Sequence, residues 1–249
     1  MIKNYTHDIK MHNTVAGQIV IPFIYQLIKP KSVLDVGCGL GTWLKVAKEC
    51  GVEKTTGIDG NRAPQEIMQI SELEFLEFDL TKPIILGEKY DLAICLEVAE
   101  HLPESAADIL INTLVKNSNC ILFSAAIPGQ GGQNHINEQW PSYWQKKFES
   151  HEFYAFDILR QKFWDNKNIE WWYKQNMLIY SKKEMTGLFK TPTDCVPSLV
   201  HPELFTDIIE KKAIMANQVD SLETTVRTHL WKPRFLPSLK NLIKSIFKI

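Results

Sequence analysis

VLDVGCGLGTW, residues Val33 to Trp43, decides how the rest of the chain is read. An apolar stretch, Val33, Leu34 and Val36, runs into glycines at alternate positions, Gly37, Gly39 and Gly41, and then into a helical pattern. Glycine there lets the backbone turn sharply and approach a ligand with no Cβ in the way. A helix N-terminus behind the loop favours negative charge. Two phosphate-binding patterns do not fit. A dinucleotide fingerprint needs GxGxxG, but Thr42 stands where the third glycine would be, and no GK[ST] follows for a P-loop. What remains is D-x-G-x-G-x-G, with the carboxylate of Asp35 at the end of the strand.

Outward from that loop, short apolar runs alternate with helical segments from Ser32 to about Lys182. The runs are VLDV, TTGID, EFLEFD, YDLAICLE, NCILFSAAI, FYAFDIL and NMLIYS, and helices are predicted near 41–50, 64–70, 103–116 and 139–150. Such alternation signals βαβ units, hence a mostly parallel α/β sheet covered on both faces. This block, 31–183, is read as the main domain. Before it, residues 1–30 hold a lead-in helix, because Val15, Ile19, Ile21, Phe23, Ile24, Leu27 and Ile28 recur at near-helical spacing until Pro30. After it, residues 184–249 lack strand signals and read as a helical C-terminal extension. Three prolines between Thr191 and Pro202 mark a loop there. Met215, Val219, Leu222 and Val226 follow 4, 3, 4 spacing, a short coiled-coil seam that suits a homodimer. Further on, Leu239, Leu242, Ile243, Ile246 and Phe247 share one helical face and Lys240, Lys244 and Lys248 another. The basic tail, 231–249, either docks on its own domain or meets an anionic membrane surface or an acidic partner protein.

Composition narrows the classes. The chain has 249 residues, enough for one large domain with an appendage. With 45% hydrophobic and 23% charged residues it is neither disordered nor fibrous. Lys plus Arg number 28 against 29 Asp plus Glu, so no basic nucleic-acid footprint is present and no nucleic-acid partner is expected. Five cysteines, Cys38, Cys50, Cys95, Cys120 and Cys195, form no CxxC and suit a reducing cytoplasm rather than a disulfide framework or a structural zinc site. The apolar stretch Val15 to Ile28 contains Gln18 and Pro22 and has no cleavage-site pattern behind it, so neither a secretory signal nor a membrane span is expected. The expected location is the cytoplasm, with the basic tail able to reach the inner face of the membrane.

DVGCGLG, GIDG (57–60), FDLTKP (78–83) and YDLAICLEVAEHL (90–102), in this order and spacing, resemble the class I S-adenosylmethionine-dependent methyltransferases over roughly residues 30–182. The resemblance implies a Rossmann-like, doubly wound, seven-stranded sheet with its last strand reversed, a strand that NMLIYS would supply. It also implies S-adenosyl-L-methionine as cofactor. Asp59 ends the second strand about 20 residues after the glycine loop, where a carboxylate can accept hydrogen bonds from both ribose hydroxyls. By the resemblance, Asp79 would face the adenine amino group and Leu80 would pack on the ring. The methionine carboxylate would lie near the Gly37, Gly39 and Gly41 loop, with Asp35 ordering that loop or binding the methionine ammonium. The alternative is a nicotinamide-binding domain with Asp59 on a ribose or Arg62 on a 2′-phosphate.

Methyl transfer from a sulfonium is an in-line displacement, and an alcohol acceptor must lose its proton to a general base or beside a divalent metal. Glu97, Glu100 and His101 stand in ExxEH just after the fourth strand, where i, i+3 and i+4 share a face if the turn is helical. His135 follows in QGGQNHINEQW, after the fifth strand, at the carboxyl edge where open α/β sheets build their sites. An ExxEH plus a later His resembles the metal site of small-RNA 2′-O-methyltransferases and some quinone O-methyltransferases. That implies Mg²⁺ or Mn²⁺ on Glu97, Glu100, His101 and His135. In other class I enzymes Glu97 would instead lie near the cofactor and His101 would be a packed, hydrogen-bonded residue. The catalytic candidates are therefore His135, as base or metal ligand, with Glu97 and His101 beside it.

The long loop AAIPGQGGQNHINEQWPSYW (125–144) carries amides and aromatic rings suited to holding a sugar ring, although Trp140 and Trp144, at i and i+4, are expected to pack their helix on the sheet. With EWWYKQNMLIY (170–180), it is similar to methyltransferases of bacterial surface-glycan assembly. That similarity implies O-methylation of a hydroxyl on a carbohydrate or sugar precursor for surface polysaccharide. Two rivals remain: a metal-dependent RNA 2′-O-methyltransferase, and a non-catalytic cofactor-binding interaction module resting on the seam and the tail.

Overall fold

Strand β4 (Leu92–Leu96) is buried at every residue because it has a strand on each side and a helical layer on each face. Ala93 and Cys95 enter one core, while Leu92, Ile94 and Leu96 enter the other, the period of two that a pleated strand imposes. A computed structural model describes residues 13–182, 186–189 and 191–229. The sheet has seven strands: β1 (Ser32–Val36), β2 (Lys54–Asp59), β3 (Phe75–Glu77), β4, β5 (Cys120–Ser124), β6 (Phe153–Phe156) and β7 (Leu178–Lys182). Their spatial order is β3-β2-β1-β4-β5-β7-β6. All neighbours are parallel except β7, which runs antiparallel to both β5 and β6. This is the expected doubly wound, Rossmann-like sheet with its last strand reversed. The strand order reverses between β1 and β4, which places a crevice at their carboxyl ends.

Helices α1 (Val15–Ile28), α2 (Thr42–Glu49) and α5 (Ile158–Phe163) fill the core on one face. Helices α3 (Ala107–Asn117) and α4 (Pro141–Glu149) fill the core on the other. The lead-in helix thus belongs to the packed layer: Val20, Ile21 and Ile24 are buried with Trp43, Leu44 and Ala47 of α2. Trp144 is buried against Phe123 at 5.4 Å between ring centroids, as its spacing predicts. Trp140 is not so packed; it precedes α4 as its extended N-cap and remains 37% exposed.

The helix predicted at 64–70 does not form, and this is a correction. Ile67 and Met68 make single turns back to Pro64 and Gln65, while the N–H of Gln69 donates to the carbonyl of Leu40 at 2.8 Å instead of to a carbonyl one turn back. The side chain of Ile70 fills the space over Gly41 and Gly57. Tertiary docking on the glycine loop overrides a short, weakly periodic stretch.

By contacts the chain divides into two units, Met1–His201 and Pro202–Ile249. The sequence reading placed its break at 183, whereas the first unit runs on to His201. Phe189, at the end of α7 (Thr186–Phe189), packs on Phe156, and Val196 lies in the core under α3 and α4. The guanidinium of Arg160 is buried, paired through two hydrogen bonds with Asp157 at 2.6 and 2.7 Å, and it donates to the carbonyl of Pro197 at 3.1 Å. Gln145 donates to the carbonyls of Thr193 and Asp194 and accepts from the N–H of Val196. The proline-rich segment is therefore bolted to the sheet. The second unit contains α8 (Pro202–His229), one continuous helix carrying Met215, Val219, Leu222 and Val226, of which Met215 and Leu222 are exposed. The basic tail, 231–249, lies outside the described residues. All five cysteines are free. Among the described residues no helix is long and apolar enough to cross a membrane.

Candidate functional site

The glycine loop closes the carboxyl end of β1. Gly37, Gly39 and Gly41 have φ of 83°, 52° and 76°, left-handed conformations that suit glycine. At Gly37 a Cβ would lie 2.3 Å from Cγ2 of Val98, so the missing side chain lets the end of β4 close over the loop. The N–H of Gly39 donates to Oδ2 of Asp59 at 2.9 Å, and Oδ1 of Asp59 accepts from the N–H of Asn61 at 3.0 Å. Asp59 thus braces the loop across two strand ends. Beneath it Asp35 is buried, and its Oδ2 has no hydrogen-bond partner among the described residues. Burial, reinforced by nearby Asp59, pushes the Asp35 carboxyl up to about 8. An acceptor held this way fits a cationic or hydrogen-bond-donating group of a ligand in the loop. After β3, Oδ1 of Asp79 accepts from the hydroxyl and the N–H of Thr81 at 2.7 and 3.0 Å, which lowers its pKa. Leu80 is buried in the core beside it.

Directly after β4, Glu97 adopts φ of 53°. A left-handed non-glycine residue costs about 1 kcal/mol or more and persists where its surroundings over-determine it. Its carboxylate accepts hydrogen bonds from Nε2 of Gln130 at 2.9 Å and Nδ2 of Asn176 at 3.1 Å. Burial raises its pKa, and the hydrogen bonds from Ser124, Asn176 and Gln130 oppose that.

One turn later Glu100 is fully buried, and neither carboxylate oxygen has a hydrogen-bond partner among the described residues. Its pKa is raised well above the usual carboxylate range by burial and then by the charge of Glu97. Its carbonyl accepts from the N–H groups of Ile136 and Asn137 at 2.9 and 3.1 Å, which draws the long loop back over the end of β4. That draws in His135. Glu100, His101 and His135 each offer a ligand atom, all within 4.8 Å of one another. Burial, then the neighbouring His135, pushes His101 down to about 4, so its ring is neutral at pH 7. A neutral imidazole and an unpartnered buried carboxylate suit a divalent cation, which would supply the charge that Glu100 otherwise lacks. Nδ1 of His135 lies 3.0 Å from Oε1 of Glu138, whose two oxygens also accept from the N–H groups of Gly129 and Gly131 at 2.7 Å. A carboxylate there fixes the proton on Nδ1 and leaves the Nε2 lone pair for a proton or a cation.

The glycine loop is braced by an acid at the end of the second strand, and a histidine–carboxylate cluster gathers after the fourth and fifth. The family described as a methyltransferase domain matches residues 17–178. This chain belongs to that family. Among curated relatives, the ubiquinone biosynthesis O-methyltransferase of Stutzerimonas stutzeri is 35% identical over 102 residues, which cover 38% of this chain and 44% of that protein. The protein of the same name from Azotobacter vinelandii is 34% identical over 102 residues, with the same coverage. The chain spans under half the length of the curated relatives it matches. The crystal structure of Streptomyces venezuelae DesVI has a TM-score of 0.53 at 8% identity, covering 68% of this chain and 91% of that one, a likeness of fold.

In this methyltransferase domain the expected cofactor residues Asp35, Gly37, Gly39, Gly41 and Asp59 meet at one strand end, with Asp79 and Leu80 after the edge strand β3. Of the four expected metal ligands, Glu100, His101 and His135 form the compact group, while Glu97 is engaged by two amides beside it. The amides Gln130 and Asn137 of the long loop point inward and are buried, so they serve the domain's interior. Glu138, Gln130 and Asn176 were not anticipated as site residues. Only Glu138 left a signal, its i, i+3 spacing from His135 in HINE.

Proposed function

We propose that this protein is an S-adenosylmethionine-dependent O-methyltransferase whose acceptor is a hydroxyl on a carbohydrate or sugar precursor. When bound, S-adenosylmethionine supplies a methyl group on a sulfonium, ready for displacement. The residues that would hold it are the Gly37, Gly39 and Gly41 loop, Asp59 through the ribose hydroxyls, Asp79 and Leu80 at the base, and Asp35 at the ammonium. The observation that carries the catalytic part is the fully buried, unpartnered Glu100 carboxylate within ligand distance of His101 and His135. A divalent cation held there would lower the pKa of the acceptor hydroxyl. His135, its ring aimed by Glu138, has one lone pair left on Nε2 and uses it either as a ligand of that cation or as the base that takes the hydroxyl proton. The carbohydrate acceptor rests on the sequence resemblance and on exposed Trp140, a face on which a sugar ring can stack.

A second reading is favoured by the relatives, whose name is ubiquinone biosynthesis O-methyltransferase: the acceptor would then be a hydroxyl of a quinone precursor. Both readings use the same base and the same cluster. Transfer of labelled methyl from S-adenosylmethionine is measured with nucleotide sugars, a glycan oligosaccharide and phenols bearing adjacent hydroxyls, each with and without a chelator and added Mg²⁺ or Mn²⁺. Cation-dependent transfer to a sugar supports the first reading. Transfer confined to the phenols supports the second, and transfer to none of these acceptors retracts both.

A further inference from the structure

The two amides on Glu97 are themselves held by a buried chain of hydrogen bonds. Oε1 of Gln130 accepts from Nδ2 of Asn176 at 2.9 Å, from Nε2 of Gln175 at 3.2 Å and from the N–H of Ile127 at 3.3 Å. Oδ1 of Asn176 accepts from Nε2 of Gln175 at 3.0 Å, and Oε1 of Gln175 accepts from the N–H of His201 at 2.8 Å. Gln130, Gln175 and Asn176 are all buried. Neither amide on Glu97 can turn over, because its oxygen would then face the carboxylate and its NH₂ would face N–H donors. The chain therefore has one polarity, and both amides present donors to Glu97. From the other side, the Glu97 N–H donates to the carbonyl and hydroxyl oxygens of Ser124, each at 3.1 Å. Backbone and carboxylate are both captured in a conformation that a non-glycine residue rarely adopts.

We propose that Gln130 and Asn176 are positioning residues, which hold the Glu97 carboxylate in one orientation between the glycine loop and the Glu100–His101–His135 cluster, with the backbone of His201 as the outer anchor. The placement of Glu97 follows from its neighbours. Val98, the next residue, closes over Gly37, and the turn that continues the chain delivers Glu100 and His101. The network joins four segments remote in sequence: the end of β4, the loop after β5, α6 (Trp171–Asn176) and the residue before α8. A buried network whose members are all satisfied specifies a single arrangement, which is what a charged group at a reacting centre requires. The inference rests on the proposed function only for the chemistry that Glu97 then serves.

The test uses the full chain and two variants from different segments, Asn176→Ala and Gln130→Leu, so that misfolding of one leaves the other. Each is made with Glu97 intact and in a Glu97→Ala background. With Glu97 intact, kcat is expected to fall about 10- to 100-fold, because displacing a group at the reacting centre by an ångström has that scale of effect. In the Glu97→Ala background the same substitutions are expected to leave kcat unchanged, since a residue that acts through another loses its effect when that other is gone. Equal losses in both backgrounds would mean that the amides serve the fold alone, and would overturn the inference. Crystal structures of the wild type and both variants read the carboxylate directly: displaced or disordered in the variants supports the inference, and unmoved in both overturns it. A wild type that transfers no methyl group, with Glu97 displaced in both variants, retracts the proposed function and leaves the positioning role standing.

Discussion

The imidazole rings of His101 and His135 meet edge to face, with centroids 4.9 Å apart and planes at 80°. They come from different loops, and the contact exists because the carbonyl of Glu100 binds the N–H groups of Ile136 and Asn137. It brings a neutral, depressed histidine beside one whose Nδ1 is held by Glu138. His135→Ala is expected to lower single-turnover methyl transfer about 10²- to 10⁴-fold while leaving the affinity for S-adenosylhomocysteine within a few-fold. Calorimetry alongside rapid-quench kinetics checks it, and a loss of affinity with the chemistry intact would contradict the role.

Glu138→Gln keeps the size of the side chain and removes the charge that fixes the Nδ1 proton. Turnover is expected to fall about 10- to 100-fold. In a His135→Ala background the same substitution should change turnover little, an outcome that a variant which merely loosens the loop would not produce.

Cation binding has a defined pH dependence. Glu100 must be ionised to act as a ligand, and burial together with Glu97 raises its pKa. Affinity for Mn²⁺ should therefore rise with pH well above the usual carboxylate range, approaching about tenfold per unit while the carboxyl is still protonated, with protons released on binding. His101, pushed down to about 4, is already neutral there and adds no slope. Titration calorimetry in two buffers of different ionisation enthalpy measures the released protons. Affinity independent of pH, or unchanged in Glu100→Gln, would remove Glu100 from the ligand set.

Asp35 makes the ligand-free protein sensitive to alkali. Its folded pKa, about 8, lies above the unfolded value, so its favourable contribution is complete below about pH 4 and is lost as pH rises toward 8. Asp35→Asn removes that loss. Between pH 6 and pH 9 the wild type should lose about 2–3 kcal/mol more stability than Asp35→Asn, read by urea denaturation. Parallel curves would place the Asp35 carboxylate in a solvated setting instead.

Gly37→Ala puts a methyl group 2.3 Å from Val98 at φ of 83°. The expected cost is about 2–4 kcal/mol from overpacking plus backbone strain, seen as a lower Tm and a loss of S-adenosylhomocysteine binding. Gly87→Ala, where nothing lies within 4 Å of the added carbon, is the control and should change little.

Several elements were legible in the sequence because each is a local pattern. Continuous apolar runs such as NCILFS can satisfy a strand only between two helical layers, and β5 is buried at every residue. The glycine loop was legible for the same reason, since the absence of three side chains is written in the chain itself. Residues 64–70 misled because Ile67 and Met68 make only single turns and the next donor, the N–H of Gln69, goes to Leu40 across the loop. Trp140 and Trp144 share a spacing but not a fate, because Pro141 starts the helix between them.

The sequence by itself determined the layered α/β sheet, the glycine loop and the ExxEH segment, since these depend on periodicity and on residues close together in the chain, while the reversed strand followed from the family resemblance. Tertiary structure decided which of the four metal candidates converge, that Glu97 is held by Gln130 and Asn176, and that Phe189 to His201 belong with the sheet. The physical reason is that hydrogen bonds among buried amides and carboxylates join segments with no local signal of their pairing, and only the packed fold brings donor to acceptor.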